Sequence, residues 1–260
     1  MSSWIIARNI PSKKKHVITK YHSTTSAPDI FSIYMEFLAA YIFTQKIGES
    51  CSIWDPTTLI NSTLKHNPQV KFLKEVPENL EPLSVSSYEP IISPMKFTEI
   101  QRIAGSIFQF NTDFNSSVIR VLDKNGIKAL FDIAIHLVKD ISGPNVGGFK
   151  KYADLIKEYQ KKSKKEKLSI YIMADTYSVV TEFQLLCDPS WKLTSLSKTP
   201  TSDTNAEFLH VMAEVQVMVA LPALILDFDR PVDRFIYLMQ RNQRGLNYFM
   251  EINSNPWYLI

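Results

Sequence analysis

Phe131-Asp132-Ile133-Ala134-Ile135-His136-Leu137-Val138-Lys139-Asp140 is an apolar run closed by polar residues, with Asn125-Gly126 before it and Ser142-Gly143-Pro144 after it. Its short length, its isoleucines and valine, and the turn-formers on both sides favour a strand over a helix. The apolar character is nearly continuous rather than alternating, which favours a parallel sheet covered on both faces. Such a strand delivers its last side chains to a crevice at the carboxyl edge of the sheet, and His136 stands there.

Downstream, strand and helix patterns alternate. A loop at 142–148 leads to a helix with Tyr152, Leu155, Ile156 and Tyr159 on one face. A strand at 168–173 ends in Ala174-Asp175-Thr176, and a helix at 178–186 and a short strand at 191–196 follow. The helix expected at 205–219 carries Phe208, Val211, Met212 and Val215. After a strand at 223–228, the last helix starts at once, with Asp229 as cap, Pro231 in its first turn, and Val232, Phe235, Ile236 and Met239 inward. This alternation predicts a doubly wound, Rossmann-like layer.

Upstream, residues 16–21 read as a strand, followed by a Ser/Thr-rich loop at 22–27. Ile30, Ile33, Tyr34, Phe37, Leu38 and Tyr41 then recur at helical spacing, with Ser26 to cap, Pro28 near the first turn and Gly48 to stop. A short strand at 51–54 ends at Asp55-Pro56. From 57 to 94 the prolines at 68, 77, 82, 90 and 94 interrupt every apolar run, so a surface meander is expected. Thr98 then caps a helix carrying Ile100, Ile103, Ala104, Ile107 and Phe108, and a second helical piece spans 116–122. The expected organisation is α/β, with an N-terminal domain at 1–125 and a C-terminal Rossmann-like domain at 126–260.

The 260 residues are 45% hydrophobic, enough for a large core, and a net charge of +3 is too small to argue for nucleic acid as a partner. The first residues lack a basic start and a long apolar run, so a secretory signal is not expected. The most apolar stretch, 215–226, contains Gln216 and Pro222 and is short of the roughly 20 residues of a membrane span. Cys51 and Cys187 suit reduced core residues or one long-range bridge. These features favour a reducing, cytoplasmic setting, that of a host cell if the source is a virus, and the Lys-, Ile-, Asn- and Ser-rich composition suits an AT-rich genome. The chain has no phosphate-binding glycine motif, no nucleophile elbow and no His/Cys metal cluster.

Three strand ends carry polar groups: His136 with Lys139 and Asp140, Asp175 with Thr176, and Asp227 with Asp229 and Arg230. Cations and helix N-termini suit a diphosphate, and carboxylates suit ribose or base edges. Taken singly, each residue has a plainer reading: His136 as a hydrogen-bonded core histidine, Asp175 and Asp229 as helix caps. The cluster of Lys157, Lys161, Lys162, Lys164, Lys165 and Lys167 reads as a solvated helix end whose cations complement the dipole, with an acidic or phosphate-bearing partner as the alternative.

Taken together, the three strand ends resemble the GT-B fucosyltransferase superfamily, in particular its α-1,6-fucosyltransferase, nodulation-type and protein O-fucosyltransferase branches. The resemblance rests on Ile135-His136-Leu137-Val138-Lys139-Asp140 for a His-x-Arg-Arg-x-Asp element, Ile172-Met173-Ala174-Asp175 for an Ala-Thr-Asp-like element, and Phe228-Asp229-Arg230 leading to Arg234 and Tyr237 for a Phe-Ser-Ser element and its helix. The layout of 16–54, with Ala39-Ala40 on its helix, is similar to the start of that family's N-terminal domain. The resemblance implies two Rossmann-like domains facing a cleft, with the N-terminal one on the acceptor side. It implies a sugar donor activated by a nucleotide diphosphate, GDP favoured, a glycan or protein acceptor, and no metal or other cofactor. His136 is then the catalytic-site histidine, Lys139 and Arg230 face phosphates, Asp175 meets the nucleoside, and Asp229 lies beside the donor. Val138 stands where the family has an arginine, so a non-catalytic binding or structural protein on the same fold is the second expectation.

Overall fold

The computed structural model describes residues 4–6, 16–19, 30–47, 50–54, 59–68, 70–73, 95–128, 130–138, 146–174, 176–196, 204–240 and 248–251. The chain forms two compact units, divided between Phe114 and Asn115.

The first unit contains β1 (Trp4–Ile6), β2 (His16–Thr19), α1 (Ile30–Ile47), β3 (Ser50–Trp54), α2 (Leu59–Thr63), β4 (Val70–Leu73) and α3 (Phe97–Ile107). Its sheet has the order β1-β2-β3-β4; β2, β3 and β4 run parallel and β1 is antiparallel to β2. The helical spacing read around Ile30 to Tyr41 is realised in α1. That helix buries far more than one stripe, because Phe31, Tyr34, Met35 and Phe37 through Ile42 are all buried, as expected of a helix enclosed on most sides. Phe108 packs against both Tyr34 and Phe37, with ring centroids 5.2 and 5.7 Å apart. The meander expected at 57–94 is corrected in part, since α2 and β4 lie within it. β4 is only four residues long and is defined by its pairing with β3, from Cys51↔Val70 to Trp54↔Leu73. The cap assigned to Thr98 is also corrected: the helix begins at Phe97 with Lys96 as its extended N-cap residue.

α4 (Thr112–Lys124) is closed by the turn at Asn125-Gly126. Gly126 has φ +66°, its N–H donates to the Asp123 carbonyl at 3.0 Å, and the Ile127 N–H donates to the Leu122 carbonyl at 3.0 Å. That pair of bonds is the Schellman arrangement, and its left-handed residue favours glycine. A Cβ at Gly126 would meet nothing within 4 Å, so the backbone angle alone sets the cost. Gly126→Ala is expected to lower stability by about 1 kcal/mol, read from urea denaturation with an unchanged m-value.

The second unit contains β5 (Ile133–Leu137), α5 (Val146–Ser163), β6 (Leu168–Ala174), α6 (Tyr177–Gln184), β7 (Trp191–Ser195), α7 (Thr204–Ala220), β8 (Ala223–Leu226), α8 (Pro231–Met239) and β9 (Tyr248–Glu251). Its sheet has the order β7-β6-β5-β8-β9 and every pairing is parallel. All five residues of β5 are buried, as its continuous apolar run requires. Ile133, Ile135 and Leu137 join a core with Phe149, Tyr152 and Ile156 of α5 and Val179 and Phe183 of α6. Ala134 and His136 alternate to the opposite face. Cys187 is a free thiol, which removes the long-range bridge. Its Sγ donates to the Phe183 carbonyl at 3.3 Å, and burial pushes its pKa up to about 11. At pH 8 the native thiol should therefore react with iodoacetamide about 100-fold more slowly than the same cysteine in the urea-unfolded chain, measured by mass spectrometry of its peptide.

Candidate functional site at the carboxyl edge of the second sheet

In the second sheet the chain runs outward from β5 through β6 to β7, then returns to place β8 on the other side of β5. The carboxyl ends of β5 and β8 thus form a switch point, the place where open parallel sheets take their ligands. His136 is the fourth residue of the five in β5, and Asp227 directly follows β8.

α8 completes the cluster. Its first turn has Pro231 near the start and Asp233 turned inward, fully buried. His136 Nδ1 lies 2.8 Å from Asp233 Oδ1, and Asp233 Oδ2 accepts the Asp227 N–H at 2.8 Å. Asp227 Oδ1 in turn accepts the Asp229 N–H at 3.1 Å, and Arg234 Nε donates to the Phe228 carbonyl. The turn 227–230 is thus fastened to α8, and α8 to β5, through one carboxylate. Burial pushes the Asp233 carboxyl above the usual aspartate range, while His136 and the Asp227 amide pull it back. In its ionised form Asp233 is an acceptor only, so the imidazole donates from Nδ1 and its orientation is fixed.

Tyr152 reaches the same edge from α5. Desolvation of its buried hydroxyl, reinforced by the charges of Asp233 and Asp227 and opposed by the nearby Val138 backbone, holds its pKa well above the ordinary tyrosine value. Val138 itself is half-buried. Arg230 is exposed at the N-cap of α8 and near enough to Tyr152 to oppose that shift. Asp229 is exposed beside it, and the cap role expected for Asp229 is corrected, because Arg230 occupies that position and makes no side-chain capping bond.

Of the residues singled out in the sequence, His136, Asp229 and Arg230 therefore lie on or beside one edge. Lys139, Asp140 and Asp175 fall outside the described residues. His136 is not an open strand-end side chain but a buried, paired one, 4% exposed. Asp233 and Tyr152 are the participants that strand-end reasoning missed. The available signal for Asp233 was its place at the third helical position behind Pro231, where a carboxylate commonly reaches back to an unpaired N–H.

No protein-family model and no curated protein matches the sequence. Solved structures do match. The fucosyltransferase NodZ from Bradyrhizobium superposes with a TM-score of 0.57 at 8% identity, over 88% of this chain and 94% of that one. NodZ soaked with GDP-fucose gives a TM-score of 0.56 at 8% identity, over 87% and 93% of the two chains. A point mutant of Arabidopsis thaliana FUT1 in complex with GDP gives 0.57 at 8% identity, over 90% of this chain and 70% of that one. The chain has the GT-B fucosyltransferase-like fold, as the strand-end motifs led one to expect.

Proposed function

We infer that the protein binds a nucleotide-diphosphate sugar, GDP-linked and fucose-like, at the carboxyl edge of its second sheet, and transfers the sugar to a glycan or protein acceptor without a metal. The observation that carries this reading is the gathering of His136, Asp227, Asp233 and Tyr152 at the switch point between β5 and β8. In this reading His136, fixed by Asp233, orients the reacting groups; Arg230 and Lys139 face the diphosphate; Asp175 contacts the nucleoside; Asp229 borders the donor. The amino end of α8 adds a partial positive charge on the phosphate side.

A second reading has its own support. Asp227, Asp229 and Asp233 make this edge acidic, and by the resemblance Val138 stands where the family has a phosphate-clamping arginine, whose loss typically removes a few kcal/mol of transition-state stabilisation. A binding protein that holds the nucleotide sugar without transferring it fits those features.

Calorimetric titration with GDP, GDP-fucose and UDP, followed by a radiolabel assay for transfer and donor hydrolysis, separates the readings. GDP binding with transfer supports the enzyme; GDP binding with neither transfer nor hydrolysis supports the binding protein. No heat with any of the three at millimolar concentration removes both.

A further inference from the structure

The far end of α5 forms a second charged feature. Tyr152 and Lys161 are separated by about 13 Å along the helix axis, so this end lies toward the amino edge of the sheet. Lys157, Gln160, Lys161, Lys164, Lys165 and Glu166 line a concavity of about 390 Å³ there. One lining side chain is fixed: Gln160 Nε2 donates to the Glu166 carbonyl at 3.1 Å and to Ser190 Oγ at 3.4 Å, and Gln160 Oε1 accepts from Trp191 Nε1 at 2.8 Å. One wall is held as well, because the Lys165 ammonium donates to Asp132, whose Oδ2 accepts the Ser169 N–H at 2.7 Å. The bond to Asp132 is the main cause of the raised pKa of Lys165, which keeps the cation charged.

Neighbouring lysines are neutralised locally. Lys150 pairs with Asp154 and Lys162 with Glu158; Lys161 and Lys164 form no ion pair among the described residues, and Lys157 bonds no carboxylate there but lies near Asp154 and Asp188. Lys164 has φ +55°, the left-handed conformation at a helix end that glycine ordinarily occupies. A long cationic side chain therefore lines the concavity against a local backbone preference. The side chains that line the space are those of four lysines, one glutamine and one glutamate, so its charged groups are mainly positive, with Glu166 the opposing charge.

We propose that this concavity binds a compact polyanion carrying several phosphate or sulfate groups, at a site separate from the carboxyl edge. The test is calorimetric titration of the full chain with tripolyphosphate and, in a parallel arm, a heparin-derived sulfated tetrasaccharide. Binding in low salt should weaken about tenfold or more by about 0.15 M salt, as charges at an exposed site are screened. Preference for tripolyphosphate assigns phosphates, and preference for the tetrasaccharide assigns sulfates.

Lys161→Ala should weaken binding several-fold with no change in Tm. Lys164→Gly should weaken it while raising Tm, a pair of opposite shifts that a purely structural lysine would not give. The His136→Phe/Asp233→Leu double variant should retain tripolyphosphate binding whatever it does to GDP, so the carboxyl-edge reading stands or falls separately. Unchanged affinity in both lysine variants, absence of heat with either probe at low salt, or loss of tripolyphosphate binding in the double variant overturns the proposal.

Discussion

Asp233→Ala is expected to destabilise the second unit by about 3–5 kcal/mol, a large share of the roughly 5–15 kcal/mol that holds a typical domain. Asp233 is fully buried and serves two donors, the His136 ring and the Asp227 amide, each at 2.8 Å. Alanine would leave both donors buried without their acceptor, and the penalty for stranded polar groups exceeds the net gain of the bonds themselves. Asp233→Asn keeps an amide oxygen for one donor and should lose less, about 1–3 kcal/mol. His136→Phe/Asp233→Leu removes the pair together and should fall nearer the wild type than Asp233→Ala does, because an apolar replacement strands only the Asp227 amide. Urea denaturation of the three variants measures these differences. A cost below about 1 kcal/mol for Asp233→Ala would mean that the carboxylate is not the fastening described.

Phe228→Ala is expected to cost a similar amount, about 3–5 kcal/mol, through loss of packing. The ring is fully buried, stacks on Phe249 of β9 at 5.2 Å with planes 21° apart, and meets Tyr237 of α8 edge-on at 5.2 Å. Tyr237 and Phe249 are themselves 4.7 Å apart, so the three rings tie β9 to α8, and truncating Phe228 leaves a cavity against the other two. Phe228 also lies between Asp227 and Asp229, and its carbonyl accepts from Arg234. The carbonyl remains in Phe228→Ala, and it is the loss of the ring that seats this residue that should loosen the turn at the carboxyl edge. Val179→Ala, on the core face of α6, serves as the control: GDP affinity should fall for Phe228→Ala and remain near wild type for Val179→Ala under conditions where both are folded. Phe228→Leu retains much of the volume and should lose less than half as much stability as alanine.

The parts of the fold that were legible in sequence are those whose signal is local. β5, β6 and β8 announce themselves as apolar runs between turn-formers, and α1 by its spacing and length. β1, β4 and β9 have three or four residues each, too few for a period to show, and each exists through pairing with a strand elsewhere in the chain. Alternation of β and α sufficed for the doubly wound layer, and the position of His136 near the end of its strand sufficed for a candidate edge. What the residue string does not display is the partner: His136 and Asp233 are 97 residues apart, and their meeting depends on β8 returning to the side of β5. Tyr152 was legible only as a core residue of α5, because the Asp233 and Asp227 charges and the Val138 backbone come near its hydroxyl only in the folded sheet.

The most direct test of the carboxyl edge as a nucleotide-sugar site is a crystal of the full chain soaked with GDP. Difference density for the nucleotide beyond the ends of β5 and β8, with the diphosphate within hydrogen-bond reach of Arg230 or the Val232 N–H at the start of α8, is the result expected. GDP bound only elsewhere on the molecule, with the edge around His136 and Asp233 unchanged, would contradict the account.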